Sequence, residues 1–129
     1  MSNARPALLI VDDIEDNRFA LTRRLARQGY LNITTATDGQ EALKLMNSRQ
    51  FDLVLLDIAM PRLNGLEAAD QIRRTAPRSK IVFLTQERDA EIRLSALAAG
   101  ALGYVLKTSA LRELLPTITE ALRNGYAAD

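Results

Sequence analysis

Five apolar runs of strand length recur along the chain, at residues 7–11, 32–36, 52–56, 80–84 and 102–106, and the intervals between them carry helical periodicity. Leu21 and Leu25 fall at helical spacing with Ile14 and Arg18, and Gly29 supplies a stop. Ala42, Leu45 and Met46 repeat the pattern, as do Ala68, Ala69 and Ile72 before a terminating Pro77. Ile92, Ala96, Leu97 and Ala99 mark a fourth helix closed by Gly100. Leu111, Leu114, Leu115, Ile118 and Leu122 mark a fifth, with Ser109 near its start as N-cap. Strands that alternate with helices predict an α/β fold: a five-stranded parallel sheet, doubly wound, with right-handed crossovers and helices on both faces. One residue resists this scheme. Pro116 falls inside the last helix, where it removes a backbone hydrogen bond at a cost of about 3 kcal/mol unless the helix starts later or kinks.

The 129 residues suit one domain with a core of its own. No linker, repeat or low-complexity tract divides them, so residues 6–129 are read as one domain behind a short N-terminal tail, residues 1–5, whose Ser2-Asn3-Ala4 resembles an expression remnant. The chain has no Cys and no His, which excludes disulfides, thiolate or imidazole metal sites, His-based triads and service as a phosphohistidine donor. With 17 basic and 16 acidic residues the net charge is +1, without the basic excess of a nucleic-acid-binding domain. Neither a membrane-length apolar run nor a signal peptide is legible, and a cytoplasmic location is expected.

The polar residues that end these strands are the functional signal. LVLLDIAMP, residues 53–61, is a buried-strand sequence that stops on Asp57 and turns into a loop, and ALLIVDD, residues 7–13, stops on Asp12 and Asp13. Thr85 ends the fourth run and Lys107 the fifth. In an open parallel sheet, ligands bind beyond the carboxyl ends of the strands, so all five groups are expected on one rim. Each alone reads as a cap, a turn former or a solvated charge. Together, three carboxylates repel one another unless a cation neutralises them. Oxygen-only ligands favour a hard cation, and Mg²⁺ suits a site with few carboxylates, several waters and an incoming phosphate. Asp57 is thereby placed as a nucleophile toward a phosphoryl group, with Mg²⁺, Lys107 and Thr85 offsetting charge on the transferred oxygens.

These pieces resemble the receiver domains of response regulators over residues 6–123, through VDD at 11–13, LLDIAMPRLNG at 55–65, FLT at 83–85 and GYVLK at 103–107. The resemblance implies the flavodoxin-like strand order 2-1-3-4-5. It implies that Asp57 accepts phosphate from the phosphohistidine of a sensor histidine kinase or a histidine phosphotransfer protein. It further implies that Asp13, Asp57 and the carbonyl of Ala59 ligate Mg²⁺, with Asp12 acting mostly through water, and that Lys107 pairs with the phosphoryl group while Thr85 moves to hydrogen-bond it. Tyr104 matches the aromatic that turns inward with Thr85, switching a surface of the fourth helix, fifth strand and fifth helix toward an effector or a second copy. Pro61 and Gly65 match loop-shaping positions. Such a domain is a phosphoacceptor with intrinsic self-phosphorylation and dephosphorylation only, not an enzyme acting on a separate substrate, and binds neither nucleic acid nor membrane itself.

The stretch 94–107 is similar to receivers that precede a helix-turn-helix output domain, and none follows here, which suits a stand-alone receiver or one cut from a longer protein. Thr108 replaces a frequent Pro, and Gln86 replaces a small residue, which would crowd phosphoryl entry. An aspartyl-phosphate phosphatase needs a second Asp where Ala59 stands, and a flavodoxin-like electron carrier needs a phosphate-cradling loop where residues 12–16 are acidic. A pseudo-receiver acting only as an interaction module is the remaining alternative, opposed by the intact Asp13, Asp57, Thr85 and Lys107.

Overall fold

The computed structural model describes residues 6–60 and 63–124. The tail assigned to residues 1–5 and the loop-shaping role expected of Pro61 lie outside them. Strands β1 (Ala7–Val11), β2 (Asn32–Ala36), β3 (Leu53–Leu56), β4 (Lys80–Thr85) and β5 (Gly103–Leu106) alternate with helices α1 (Glu15–Arg27), α2 (Gly39–Ser48), α3 (Gly65–Thr75), α4 (Ala90–Ala98) and α5 (Ala110–Asn124). The strands form one parallel sheet in the order β2-β1-β3-β4-β5.

Side chains alternate across a strand, so each strand feeds two cores. Leu9, Val11, Val54, Leu56, Ile81 and Phe83 point to one face, against Ala42 of α2, Ala68 and Ile72 of α3 and Ala96 of α4. Leu8, Ile10, Leu53, Leu55, Val82 and Leu84 point to the other, against Leu25 of α1 and Leu114, Ile118 and Ala121 of α5. The unbroken apolar runs of β1 and β3 follow from this two-sided burial. The two glycines expected as helix stops both have left-handed backbones, with φ of +96° at Gly29 and +104° at Gly100.

Two elements differ from expectation. A 3₁₀ turn, Lys107–Ser109, runs directly into α5, so Ser109 ends that turn rather than standing apart as a cap. The helix then continues through Pro116. Residue 116 is exposed, as is Arg112, whose carbonyl the missing amide would have served, and solvent can take that bond. The buried face supplied by Leu114 and Ile118 outweighs the local defect.

Register decides where the strand ends fall. Val11 lies opposite Leu56, Leu56 opposite Phe83, and Thr85 opposite Leu106. The residues one step beyond β1, β3 and β5 are therefore Asp12, Asp57 and Lys107, side by side at one edge with Thr85.

Candidate functional site

β1 and β3 are neighbours, and the Asp57 amide donates to the Val11 carbonyl at 3.2 Å, which carries the ladder one residue past β3 and fixes the Asp57 backbone. Gly65 opens α3 immediately beside it. Its amide donates to the Ile58 carbonyl at 2.9 Å, and a side chain there would run into the Asp57 carbonyl oxygen and stand 2.7 Å from the Ile58 Cα. Only glycine permits this approach. Gly65→Ala is expected to displace the Asp57–Ile58 backbone and to cost about 1–3 kcal/mol or more in urea unfolding. An unchanged midpoint would show that the loop yields freely.

Asp12 is 2 % exposed, Asp57 6 % and Thr85 0 %, so these polar groups stand at the inner end of the cleft rather than on its surface. The Lys107 ammonium reaches both carboxylates, donating to Asp12 Oδ2 at 2.8 Å and to Asp57 Oδ2 at 2.9 Å. Burial of Lys107 alone would lower its pKa, but the hydrogen bonds and charges of Asp12 and Asp57 outweigh that and hold it above the ordinary lysine value. The lysine stays charged because its neighbours are anions.

The carboxylates differ in what they have left to offer. Both oxygens of Asp12 are engaged, Oδ2 by Lys107 and Oδ1 by the Ile14 amide at 2.9 Å with a longer contact from Asn17 at 3.5 Å. Arg18 adds a hydrogen bond to the Asp12 carbonyl at 2.8 Å. Asp13 is exposed on the same rim. Asp57 Oδ1 is a buried side-chain oxygen that no hydrogen-bond donor reaches among the described residues. A buried acceptor without a partner is costly unless a ligand completes it.

Asp12, Asp13 and Asp57 each offer an oxygen within 4.8 Å of the others, a spacing one cation can span. The donor set is all oxygen, which fits a hard divalent ion such as a Mg²⁺ that keeps much of its water. Asp13, Asp57, Ala59, Thr85 and Lys107 line one open cleft of about 580 Å³, together with Gln86, exposed at its wall. The structure thus gathers every residue the sequence singled out for phosphoryl and metal chemistry.

Thr85 and Tyr104 are joined through one residue. The Glu87 amide donates to Thr85 Oγ1 at 3.2 Å, and the Tyr104 hydroxyl donates to the Glu87 carbonyl at 2.8 Å. The half-buried Tyr104 ring lies 6.1 Å from Phe83 and under the Arg93 guanidinium at 5.8 Å. Burial, reinforced by the Glu87 charge, pushes its phenol above the ordinary value. Three participants escaped the sequence reading: Asn17 and Arg18, which position Asp12, and Glu87, which ties Thr85 to Tyr104. Their contacts depend on how α1 and the loop after β4 pack, and no motif marks them.

The family model described as the response regulator receiver domain matches residues 8–119. The response regulator MprA of Mycolicibacterium vanbaalenii is 42% identical over 122 residues, covering 95% of this chain and 52% of MprA. The chain therefore spans about half the length of the curated relatives it matches. Among solved structures, response regulator TrrA of Thermotoga maritima in complex with Mg²⁺–BeF is similar at 39% identity with a TM-score of 0.80, over 89% of this chain and 97% of TrrA. Chemotaxis protein CheY4 of Vibrio cholerae is similar at 31% identity with a TM-score of 0.83, over 91% and 98% of the two chains.

Proposed function

The chain belongs to the response regulator receiver family of two-component signalling, and from that premise we propose that Asp57 is its phosphoryl acceptor. The observation that carries this reading is the divided state of the Asp57 carboxylate. Lys107 holds Oδ2, while Oδ1 is buried and reached by no donor among the described residues, and the carboxylate lies within one cation's span of Asp13. A carboxylate held at one oxygen and left without a hydrogen-bond donor at the other keeps lone pairs uncommitted for a ligand or for attack on phosphorus.

In this reading Asp13, Asp57 and the Ala59 carbonyl hold Mg²⁺, and Asp12, whose oxygens are engaged, acts through water. When bound, Mg²⁺ neutralises charge on the phosphoryl oxygens. Lys107 pairs with Asp57 Oδ2 and then follows the negative charge onto the new phosphoryl group. Thr85 shifts to donate its hydroxyl to a phosphoryl oxygen, and that shift withdraws its Oγ1 from the Glu87 amide it accepts from. The donor is a phosphohistidine on a sensor histidine kinase or a histidine phosphotransfer protein, and the whole activity resides in phosphoryl acceptance and loss. The capture of TrrA with Mg²⁺–BeF, a phosphoryl mimic, supports the same chemistry here. No helix among the described residues is long and apolar enough to cross a membrane, which fits a cytoplasmic location.

The test is intact mass after incubation with acetyl phosphate and Mg²⁺, with and without excess chelator. Gain of one phosphoryl group only with Mg²⁺ supports the reading. No gain, combined with no response to beryllofluoride, would favour a module that acts through protein contacts alone.

The output surface follows from the Thr85–Glu87–Tyr104 linkage. Drawing Thr85 toward a phosphoryl group breaks one anchor of Glu87 and so loosens the other, on Tyr104. That two-state element biases the face of α4, β5 and α5, where Leu94 is 66 %, Leu97 40 % and Leu111 88 % exposed. An effector or a second copy of the chain would bind there. Beryllofluoride with Mg²⁺ is expected to move backbone amide signals most between residues 86 and 111 outside the acceptor site, and little along α1. Shifts clustered in α1, with Tyr104 unchanged, would overturn this surface.

A further inference from the structure

We propose that Arg88 is the residue that captures an anionic phosphodonor at this site, acting as a guanidinium clamp for the phosphoryl oxygens of small acyl phosphates. The inference rests on the acceptor role proposed for Asp57. Arg88 lines the same cleft as Asp13, Asp57, Thr85 and Lys107. It also lines the neighbouring cleft bordered by Tyr104 and Glu113, so it stands in the wall between them. It is exposed, and its side chain makes no hydrogen bond or ion pair with any described residue.

An uncommitted cation in an acidic cleft calls for an explanation. Asp12, Asp13 and Asp57 converge there, and Glu87 adds a fourth carboxylate at the wall. A doubly charged donor approaching this group is repelled, and a divalent cation offsets only part of the repulsion. The other cation of the cleft, Lys107, already serves Asp12 and Asp57. Among the described residues of the cleft, Arg88 is the cation without a hydrogen-bond or ion-pair partner. Its planar fork matches two oxygens of a phosphoryl group, and a guanidinium sheds water more readily than an ammonium.

The transfer itself needs no proton from Arg88. A carboxylate oxygen of Asp57 forms the new bond to phosphorus as the bond from phosphorus to the donor's acyl oxygen breaks, and the acyl group leaves as a carboxylate with that electron pair. Arg88 holds the oxygens that do not exchange. A charge-assisted hydrogen bond of this kind corresponds to about tenfold in rate.

The experiment compares wild type, Arg88→Ala and Arg88→Lys in three measurements. These are the rate of phosphorylation by acetyl phosphate with saturating Mg²⁺ at low and high salt, the affinity for beryllofluoride with Mg²⁺, and the affinity for Mg²⁺ alone by calorimetry. Arg88→Ala is expected to be about tenfold slower at low salt and to bind beryllofluoride correspondingly more weakly, with the gap narrowing at high salt. Arg88→Lys should fall between. Mg²⁺ alone should bind Arg88→Ala as tightly as wild type or more tightly, because a repelling positive charge is gone. Equal rates and beryllofluoride affinities in wild type and Arg88→Ala would overturn the clamp. So would a parallel loss of Mg²⁺ affinity, which would mark Arg88 as structural support for the cleft. Wild type that neither takes phosphoryl nor binds beryllofluoride would instead overturn the acceptor reading, and this inference with it.

Discussion

Asp57→Asn is expected to abolish phosphoryl incorporation while the protein stays folded. The amide keeps the shape of the carboxylate but removes the oxygen proposed to attack phosphorus, so on that reading the loss is of the nucleophile itself. The fold is insulated from the change. Asp57 is fixed through its backbone, by the amide bond to Val11 and the Gly65 contact behind it, and Lys107 retains Asp12 at 2.8 Å. Loss of the ion pair at 2.9 Å is partly offset by relief of repulsion among Asp12, Asp13 and residue 57. The unfolding midpoint should therefore shift little, whereas Mg²⁺ affinity should fall because one of three converging charges is gone. Intact mass under phosphodonor and Mg²⁺, beside a urea titration, checks both halves. Incorporation that persists at the wild-type rate would place the acceptor elsewhere.

The strands and the rim were legible because two-sided burial leaves an unambiguous mark. Leu53 to Leu56 must be apolar at every position to serve both faces, so the first charged residue after them announces the sheet edge. The same argument placed Asp12 and Lys107, and parallel pairing set them side by side. Helix faces were legible where a stripe is narrow, as in α3, where Ala68, Ala69 and Ile72 are all buried. In α4 the pattern misleads: Ala96 is buried while Leu97, grouped with it by sequence, is 40 % exposed. The polar residues of α4, Glu91, Arg93 and Ser95, are spaced two apart and fall on no single side of the helix, so they give little contrast from which to read a face. Pro116 was an obstacle in sequence because the local cost is visible there and the compensating core contact of Ile118 is not. The Glu87 link and the place of Arg88 in the cleft wall were out of reach for a different reason. Both depend on the path of the loop after Thr85, and neither residue type dictates that path.

Lys107→Ala is expected to destabilise the protein substantially in chelator and to recover much of the difference in Mg²⁺. Sequence alone casts Lys107 as a charge awaiting the phosphoryl group. The geometry gives it a second task, since its ammonium is shared by two carboxylates whose side chains are 3% and 8% exposed. Removing one partner of a buried ion pair typically costs about 3–5 kcal/mol, and the open cleft puts this case toward the lower end. Mg²⁺ neutralises an overlapping set of oxygens, with Asp57 common to both. The variant, having lost its internal cation, should gain more from the metal than wild type does. Melting curves of both proteins across a Mg²⁺ series read this as a narrowing gap. The pH dependence has a defined sign as well. Because the Lys107 pKa is raised in the fold, its stabilisation is complete below the lysine range of the unfolded chain and is lost as pH rises through the folded value. Wild type should accordingly lose its advantage over the variant at strongly alkaline pH, in chelator. With phosphodonor and Mg²⁺, the variant keeps the Asp57 carboxylate proposed to accept phosphate, but the residues from 86 to 111 should no longer report the event. A stability gap that Mg²⁺ leaves unchanged would show that lysine and metal do not share the Asp57 carboxylate, and normal shifts at Tyr104 in the phosphorylated variant would remove Lys107 from the switch.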